Sequence, residues 1–283
     1  MLQIRTRRGG QAQVVNRLTG EPILGVGAPP LVGIRHLRDG DLWNDHAQIA
    51  QRATAQGVET VLRWRGESGE HQLVTHWHSL PDGDLLVAQR AECAAGGLVG
   101  MQWGLAIPPG WDLLLPVMGG FRLPANLGRE PLRFDYPYPW EAQCVLVAGK
   151  RGGFLIHAED DAGHFKRLFV QRQGERVWLG LESWCHAPFE ERKQAESVRW
   201  RVRAYQGHWL HGAMVYRQWM EERFGLTACR SLQPDWVGEV QVVVIDNLDD
   251  LERLEALAQQ LPPRQAMIYV PAWRARGYDR YYP

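Results

Sequence analysis

The stretch that most constrains the fold lies at the end of the chain, where Val240 to Pro283 reads as strand, helix, strand. Val240, Val242, Val243, Val244 and Ile245 form an apolar run of the kind shown by a parallel strand buried on both faces. Asp246, Asn247 and Asp249 offer helix caps, and Leu251, Leu254, Leu257, Ala258 and Leu261 recur at helical spacing until Pro262-Pro263 ends the element. A second apolar run, Ala266 to Ala272, then delivers Trp273. Two parallel strands cannot bury themselves. The pattern therefore predicts the opening of a repeated βα architecture cut short after its second strand, with any active site on later strands absent.

The preceding two hundred residues have a different grain. From Leu2 to about Tyr205, short alternating segments are punctuated by Gly, Pro and Asp, with almost no helical periodicity. Val198, Trp200, Val202 and Ala204 share one parity and Arg199, Arg201 and Arg203 the other, which predicts a strand with one wet face. Thr60, Leu62 and Trp64 alternate in the same way with Val61, Arg63 and Arg65, as do Leu73, Thr75 and Trp77 with Val74, His76 and His78. Asp82-Gly83, Gly149 to Gly153 and Gln173-Gly174-Glu175 mark hairpins. So many strands at this spacing mean a sandwich or barrel, and the length suits a large antiparallel supersandwich better than an immunoglobulin-like one. The predicted class is mainly β: a supersandwich over 1-205, a linker helix and connector over 206-236, and a truncated, TIM-barrel-like β-α-β start over 237-283. The helix is expected over His208 to Phe224, with Trp209, Ala213, Tyr216, Met220 and Phe224 on its apolar stripe and Gly225 as its stop.

Composition excludes several classes of function. Lys plus Arg and Asp plus Glu number 32 each, without long blocks of one sign, so no electrostatic footprint for nucleic acid is present. No run approaches the roughly 20 apolar residues of a membrane helix, and Met1 to Val15 lacks the apolar region of a signal peptide. A cytoplasmic protein with no nucleic-acid or membrane partner is the expectation. Cys93, Cys144, Cys185 and Cys229 lie far apart with no CxxC pair, which argues against zinc and against a disulfide framework. No phosphate loop, GxSxG elbow or Cys/His dyad stands out. No cofactor and no metal are expected.

Thirteen tryptophans are the oddity. Indole rings complement the C–H faces of sugars and their N–H groups bond hydroxyls, yet most tryptophans belong to cores. Only those at strand ends or in loops count toward a site. Asp246 and Trp273 fall at strand ends that would form the mouth of a βα barrel, and Asp279 continues the same loop. A carboxylate there can accept from two sugar hydroxyls while Trp273 stacks beneath the ring; a helix cap and plain packing are the competing readings. Tyr136, Tyr138 and Trp140, held in Asp135-Tyr136-Pro137-Tyr138-Pro139-Trp140, are a possible aromatic platform or a plug between domains. His76 and His78 share a strand face, but His71 has the opposite parity, leaving too few ligands there for a metal. Glu159-Asp160-Asp161 reads as a turn rather than a calcium site.

The order of a large β-sandwich, the segment Met214-Val215-Tyr216-Arg217-Gln218-Trp219, the connector Pro234-Asp235-Trp236, the strand ending in Asp246, and Val270-Pro271-Ala272-Trp273 with Gly277-Tyr278-Asp279 and Tyr282-Pro283 resembles a glycoside-hydrolase-related family. In it a galactose-mutarotase-like supersandwich precedes a TIM barrel. The resemblance covers the chain as domain order, and its motifs are specific only from about Tyr216 onward. It implies a carbohydrate partner, with sugar contact at Asp246, Trp273 and Asp279, and places the nucleophile and acid on middle barrel strands that this sequence does not contain. The expected function is thus the N-terminal portion of a carbohydrate-active hydrolase-like protein, inactive alone. The alternative is a non-catalytic carbohydrate-binding or scaffold module. Mutarotase activity is not implied, since no His and Glu pair for proton transfer stands out in the sandwich.

Overall fold

The computed structural model describes residues 2–6, 12–24, 30–123, 130–174, 176–226, 232–245 and 251–270. In chain order the first strands are β1 (Leu2–Thr6), β2 (Ala12–Asn16), β3 (Pro22–Leu24), β4 (Leu31–His36), β5 (Gly40–Trp43), β6 (Gln48–Thr54) and β7 (Gly57–Gly66). Next come β8 (Gly69–Ser79), β9 (Leu85–Cys93), β10 (Leu98–Ala106), β11 (Asp112–Leu115), β12 (Phe121–Leu123), β13 (Leu132–Tyr136) and β14 (Cys144–Ala148). They are followed by β15 (Gly152–Ala158), β16 (Lys166–Gln173), β17 (Arg176–Trp184), β18 (Gln194–Glu196) and β19 (Trp200–Gln206). Helix α1 (Leu210–Phe224), strand β20 (Val242–Ile245), helix α2 (Leu251–Gln260) and strand β21 (Ala266–Tyr269) complete the order.

Residues 1–223 and 224–283 are separate compact units. The first is a mainly β, antiparallel architecture, as the alternation predicts. One sheet has six strands in the order β13-β16-β17-β10-β4-β5. A larger one runs β12-β11-β14-β15-β19-β9-β8-β7-β6, with β18 also on β9, and β1-β2-β3 form a small third sheet. Residues of one parity meet between the two large sheets: Ile34, Met101, Trp103, Leu179 and Leu181 from the first, and Leu62, Leu73, Val87, Ile156, Trp200 and Val202 from the second. Trp140 stacks on Trp200 at 6.4 Å, and Trp103 meets both Trp77 and Trp200 edge-on. Burial at about 25 cal/mol per Å2 of apolar surface makes these large rings substantial contributors to stability. Trp64, Trp103, Trp111, Trp140 and Trp200 are therefore core residues. Gly83, at φ 83°, closes the β8–β9 hairpin, a backbone conformation that a Cβ disfavours.

Helix α1 packs on the outer surface of the larger sheet, against Leu146, Leu155 and Tyr205. Its contact stripe differs from the one periodicity predicts. Gly212 is the buried position, because a Cβ there would stand 2.6 Å from Leu146 and 2.7 Å from Tyr205. Ala213, Val215 and Tyr216 pack beside it, while Trp209 and Phe224 are exposed. The close approach at glycine rotates the helix about its axis, away from the bulkier residues.

In the second unit β20 and β21 pair in parallel, Val242 opposite Ala266 and Ile245 opposite Tyr269. Helix α2 connects them, with Leu254 and Leu257 half-buried at the predicted spacing. Val243, Ile245, Met267, Ile268 and Tyr269 are exposed. Among the described residues no helix is long and apolar enough to cross a membrane.

Candidate functional site

Asp246, Trp273 and Asp279, the expected sugar contacts, lie outside the described residues. The three rings of the aromatic loop are described and do not share one surface. Trp140 is wholly buried and donates its indole N–H to the Cys144 carbonyl at 3.0 Å. Tyr136 is half-buried, with the Lys166 ammonium 4.5 Å from its ring centroid. Only Tyr138 is open to solvent, at 68% exposure. The acidic run is committed to cations: Glu159 to Arg201, Asp160 to Lys166 and Asp161 to Arg223. His76 and His78 stack at 5.3 Å, half-buried, and His71 points into the sandwich as its parity requires.

A cluster with more chemical content covers the outer face of the six-stranded sheet. Residues of the second parity put Asp135, Arg167, Glu182, Gln102, Arg35 and Asp41 on that face. Asp135 stands opposite Arg167, Arg167 opposite Glu182, and Glu182 opposite Gln102. Arg35 faces Asp41 across β4 and β5. The polar row thus crosses four strands and runs on to Gly33 and Trp43, with the Arg35–Asp41 pair two residues along β4 and β5. Arg35 donates to Asp41 at 2.8 and 3.1 Å, and Arg167 donates to Asp135 at 2.6 and 3.3 Å, each a two-pronged pair. Glu182 lies between the guanidiniums, with Arg35 Nε at 3.2 Å and Arg167 Nη1 at 3.9 Å. Its side chain is fully buried, yet neither carboxylate oxygen has a hydrogen-bond partner. The buried Trp184 indole N–H lies beside it and is its further polar neighbour. Burial pushes the Glu182 carboxyl up, against the pull of Arg35, of the Trp184 indole N–H and of Arg167.

Aromatic rings wall this row. The Trp184 ring centroid lies 5.8 Å from the Arg35 guanidinium carbon and 5.0 Å from that of Arg167, close enough for cation–π attraction. On the same face Trp43 and Phe169 meet edge-on at 6.0 Å. They can lie across the sheet because glycines floor it: a Cβ on Gly180 would sit 1.8 Å from Phe169, and one on Gly33 would sit 3.0 Å from Trp43. Guanidiniums, carboxylates and indoles arranged this way can bond the hydroxyls of a polyol and cover its apolar edge.

A second buried cluster sits between the sheets, and it runs against the expectation that cysteine spacing leaves no metal site. His36, His71 and Cys93 each offer a donor atom, and these atoms lie within 4.8 Å of one another. Asp39 accepts from Ser68 and lies 2.7 Å from His71 Nε2. Those bonds outweigh burial and hold its carboxyl at about 2, and burial pushes the Cys93 thiol up to about 12.

No protein-family model matches this chain, and no curated protein does. Among solved structures it is similar to the alpha-galactosidase from Lactobacillus brevis, at 12% identity over 72% of this chain and 31% of that one, with a TM-score of 0.37. It is also similar to the GH36 alpha-galactosidase AgaB from Geobacillus stearothermophilus, at 11% identity over 73% and 32%, TM-score 0.38. The 4-alpha-glucanotransferase from Thermococcus litoralis follows at 10% identity over 71% and 36%, TM-score 0.41. The chain spans about a third of the length of the structures it matches. A likeness at that level fixes neither chemistry nor partners.

Proposed function

We propose that the chain is part of a carbohydrate-active, glycoside-hydrolase-like protein, and that the outer face of its six-stranded sheet contacts the sugar without breaking a bond. The observation that supports this reading is Glu182, a fully buried carboxylate that pairs with Arg35 and Arg167 beside the Trp184 ring. A buried charge is costly even when paired, and functional sites are where such groups persist. Fixing the two arginines from behind leaves their outer edges, with Asp41 and Asp135, to meet hydroxyl groups at little entropic cost. Glycoside hydrolysis, by contrast, needs two carboxyl groups about 5 to 9.5 Å apart, free to exchange a proton or attack. On this face Asp41 and Asp135 are locked to arginine and Glu182 is covered, so the face binds. Asp246, Trp273 and Asp279 extend the proposal to the βα unit, where a barrel mouth would add further sugar contacts.

The test is a glycan array followed by calorimetry on the whole chain, with galactosides and glucosides as mono- and oligosaccharides. Binding that weakens tenfold or more, about 1.4 kcal/mol, in Arg167→Ala and in Trp184→Ala is expected. No binding by the whole chain would leave only a scaffold role. Turnover of aryl glycosides by the chain would overturn the claim that it binds without cleaving.

A further inference from the structure

We propose that His36, His71 and Cys93 bind one divalent transition-metal ion of the zinc type, with Asp39 as the carboxylate that orients both imidazoles. The three donors come from both large sheets: His36 ends β4, while His71 on β8 and Cys93 on β9 are direct cross-strand neighbours. All three are buried. His71 sets the polarity of the site. Its Nε2 lies 2.7 Å from Asp39 Oδ2, which makes Nε2 the protonated nitrogen and leaves Nδ1 with a bare lone pair. That Nδ1 is buried without any hydrogen-bond partner. A polar staple between the sheets accounts for Asp39 and Nε2 but leaves Nδ1 idle, whereas a metal ion uses it.

Asp39 reaches the second imidazole too, with Oδ2 3.5 Å from His36 Nδ1. In the structure His36 Nδ1 accepts from the Asp39 backbone N–H at 3.3 Å, and Nε2 faces the Gly96 carbonyl at 3.1 Å. Binding an ion moves the His36 proton to Nδ1, where it bonds Asp39, and turns Nε2 away from the Gly96 carbonyl, giving up both contacts. One carboxylate then holds both rings, each with its far nitrogen unprotonated. This is the second-sphere pattern that fixes metal-bound histidines. Two glycines keep room for these groups: a Cβ on Gly97 would stand 2.6 Å from His36 Nε2, and one on Gly66 would stand 2.5 Å from Asp39 Oδ2.

Donor chemistry selects the ion. Two imidazoles and a thiolate suit zinc or cobalt(II) and disfavour calcium or magnesium, which take oxygen ligands. Zinc bonds of about 2.0 Å to nitrogen and 2.3 Å to sulfur put tetrahedral donors about 3.5 Å apart. The three side chains offer donor atoms within 4.8 Å of one another, so the rings and the thiol must close in by about an ångström or more around the ion. A water completes the four-coordinate shell. Binding releases one proton, from Cys93 Sγ, since both imidazoles enter neutral. The ion would join the two sheets at one end of the sandwich.

The experiment strips the whole chain with chelator, adds zinc(II) or cobalt(II), and removes unbound metal by gel filtration. One ion per chain, a raised melting temperature and a thiolate-to-cobalt charge-transfer band in the near ultraviolet are expected. Cys93→Ala should abolish the band and Cys144→Ala should keep it. His71→Gln, whose amide can still reach Asp39, should fold and lose metal uptake at least tenfold. Wild-type chain that retains no metal and shows no band overturns the proposal, as does a band that survives Cys93→Ala. If Cys93→Ala fails to fold, the wild-type spectrum and His71→Gln decide.

Discussion

Asp160→Ala should be among the most damaging single substitutions in the sandwich. The Lys166 ammonium is fully buried beneath β16 and pairs with Asp160 Oδ2, while it also donates to the His164 carbonyl at 2.6 Å. Asp160 further accepts from the Ala162 N–H at 3.1 Å, the His164 N–H at 2.9 Å and His164 Nδ1 at 2.7 Å. Removing the carboxylate leaves a buried cation with one carbonyl and the Tyr136 ring for company. Breaking one half of a buried ion pair costs about 3 to 5 kcal/mol, and each lost backbone hydrogen bond adds roughly 0.5 to 1.5. Because such terms overlap, about 4 kcal/mol is expected, or roughly 8 to 16 °C in Tm for a unit of this size. Urea unfolding followed by tryptophan fluorescence reads the change directly, since Trp103, Trp140 and Trp200 sit in the core. The double variant Asp160→Ala/Lys166→Met removes the stranded charge and should recover at least half of the loss. A single-variant cost below about 1 kcal/mol, or a double variant no better than the single, would refute this account of Lys166.

Two further outcomes follow from the same geometry. Burial beneath Tyr216 and Trp219 lowers His157 to about 4, so above pH 6.5 its neutral form costs nothing on folding. As pH falls from about 6.5 towards 4 the unfolded chain takes up the proton first, and stability should drop by about 1.4 kcal/mol per unit, roughly 3 kcal/mol in all. His157→Gln should flatten that slope, and an unchanged slope would remove His157 as its source. Gly180→Ala drives a methyl into the Phe169 ring and should cost about 1 to 3 kcal/mol. In a Phe169→Ala background the same substitution should cost little, and an undiminished cost there would show that the ring is not the obstacle.

Local patterns carried the strands into view and left the sites hidden. The alternation of Thr60, Leu62 and Trp64 with Val61, Arg63 and Arg65 reports which face of β7 is buried, because a strand has period two. The parity of His71 and the Asp82-Gly83 turn are legible for the same reason. The α1 stripe holds at Ala213 and Tyr216 and fails at Trp209 and Phe224, because periodicity weighs large apolar residues and gives no weight to Gly212, whose missing side chain sets the contact. The β16–β17 hairpin places Arg167 opposite Glu182, but Arg35 joins them only through sheet order, with β10 standing between β4 and β17, and no local window shows that. The available cues were charges at outward parity in otherwise apolar strands and glycines at 33, 104 and 180. For His71 and Cys93 a cue was present: each is 11 residues from Asp82, so the hairpin alone places them opposite one another.

The larger sheet is closed by a strand that arrives late. Strand β19 lies between β15 and β9, with Trp200 opposite Val87 and Ala158. Arg201 ties the same seam to Asp84 and Asp82, more than a hundred residues earlier. During synthesis, then, the first two hundred residues must wait with β9 and β15 unpaired along one edge until β19 leaves the ribosome. Closing so long a loop is entropically expensive and slow. The larger sheet of this sandwich therefore closes only after β19 has emerged, and nascent chains arrested before Trp200 should be the species that chaperones hold.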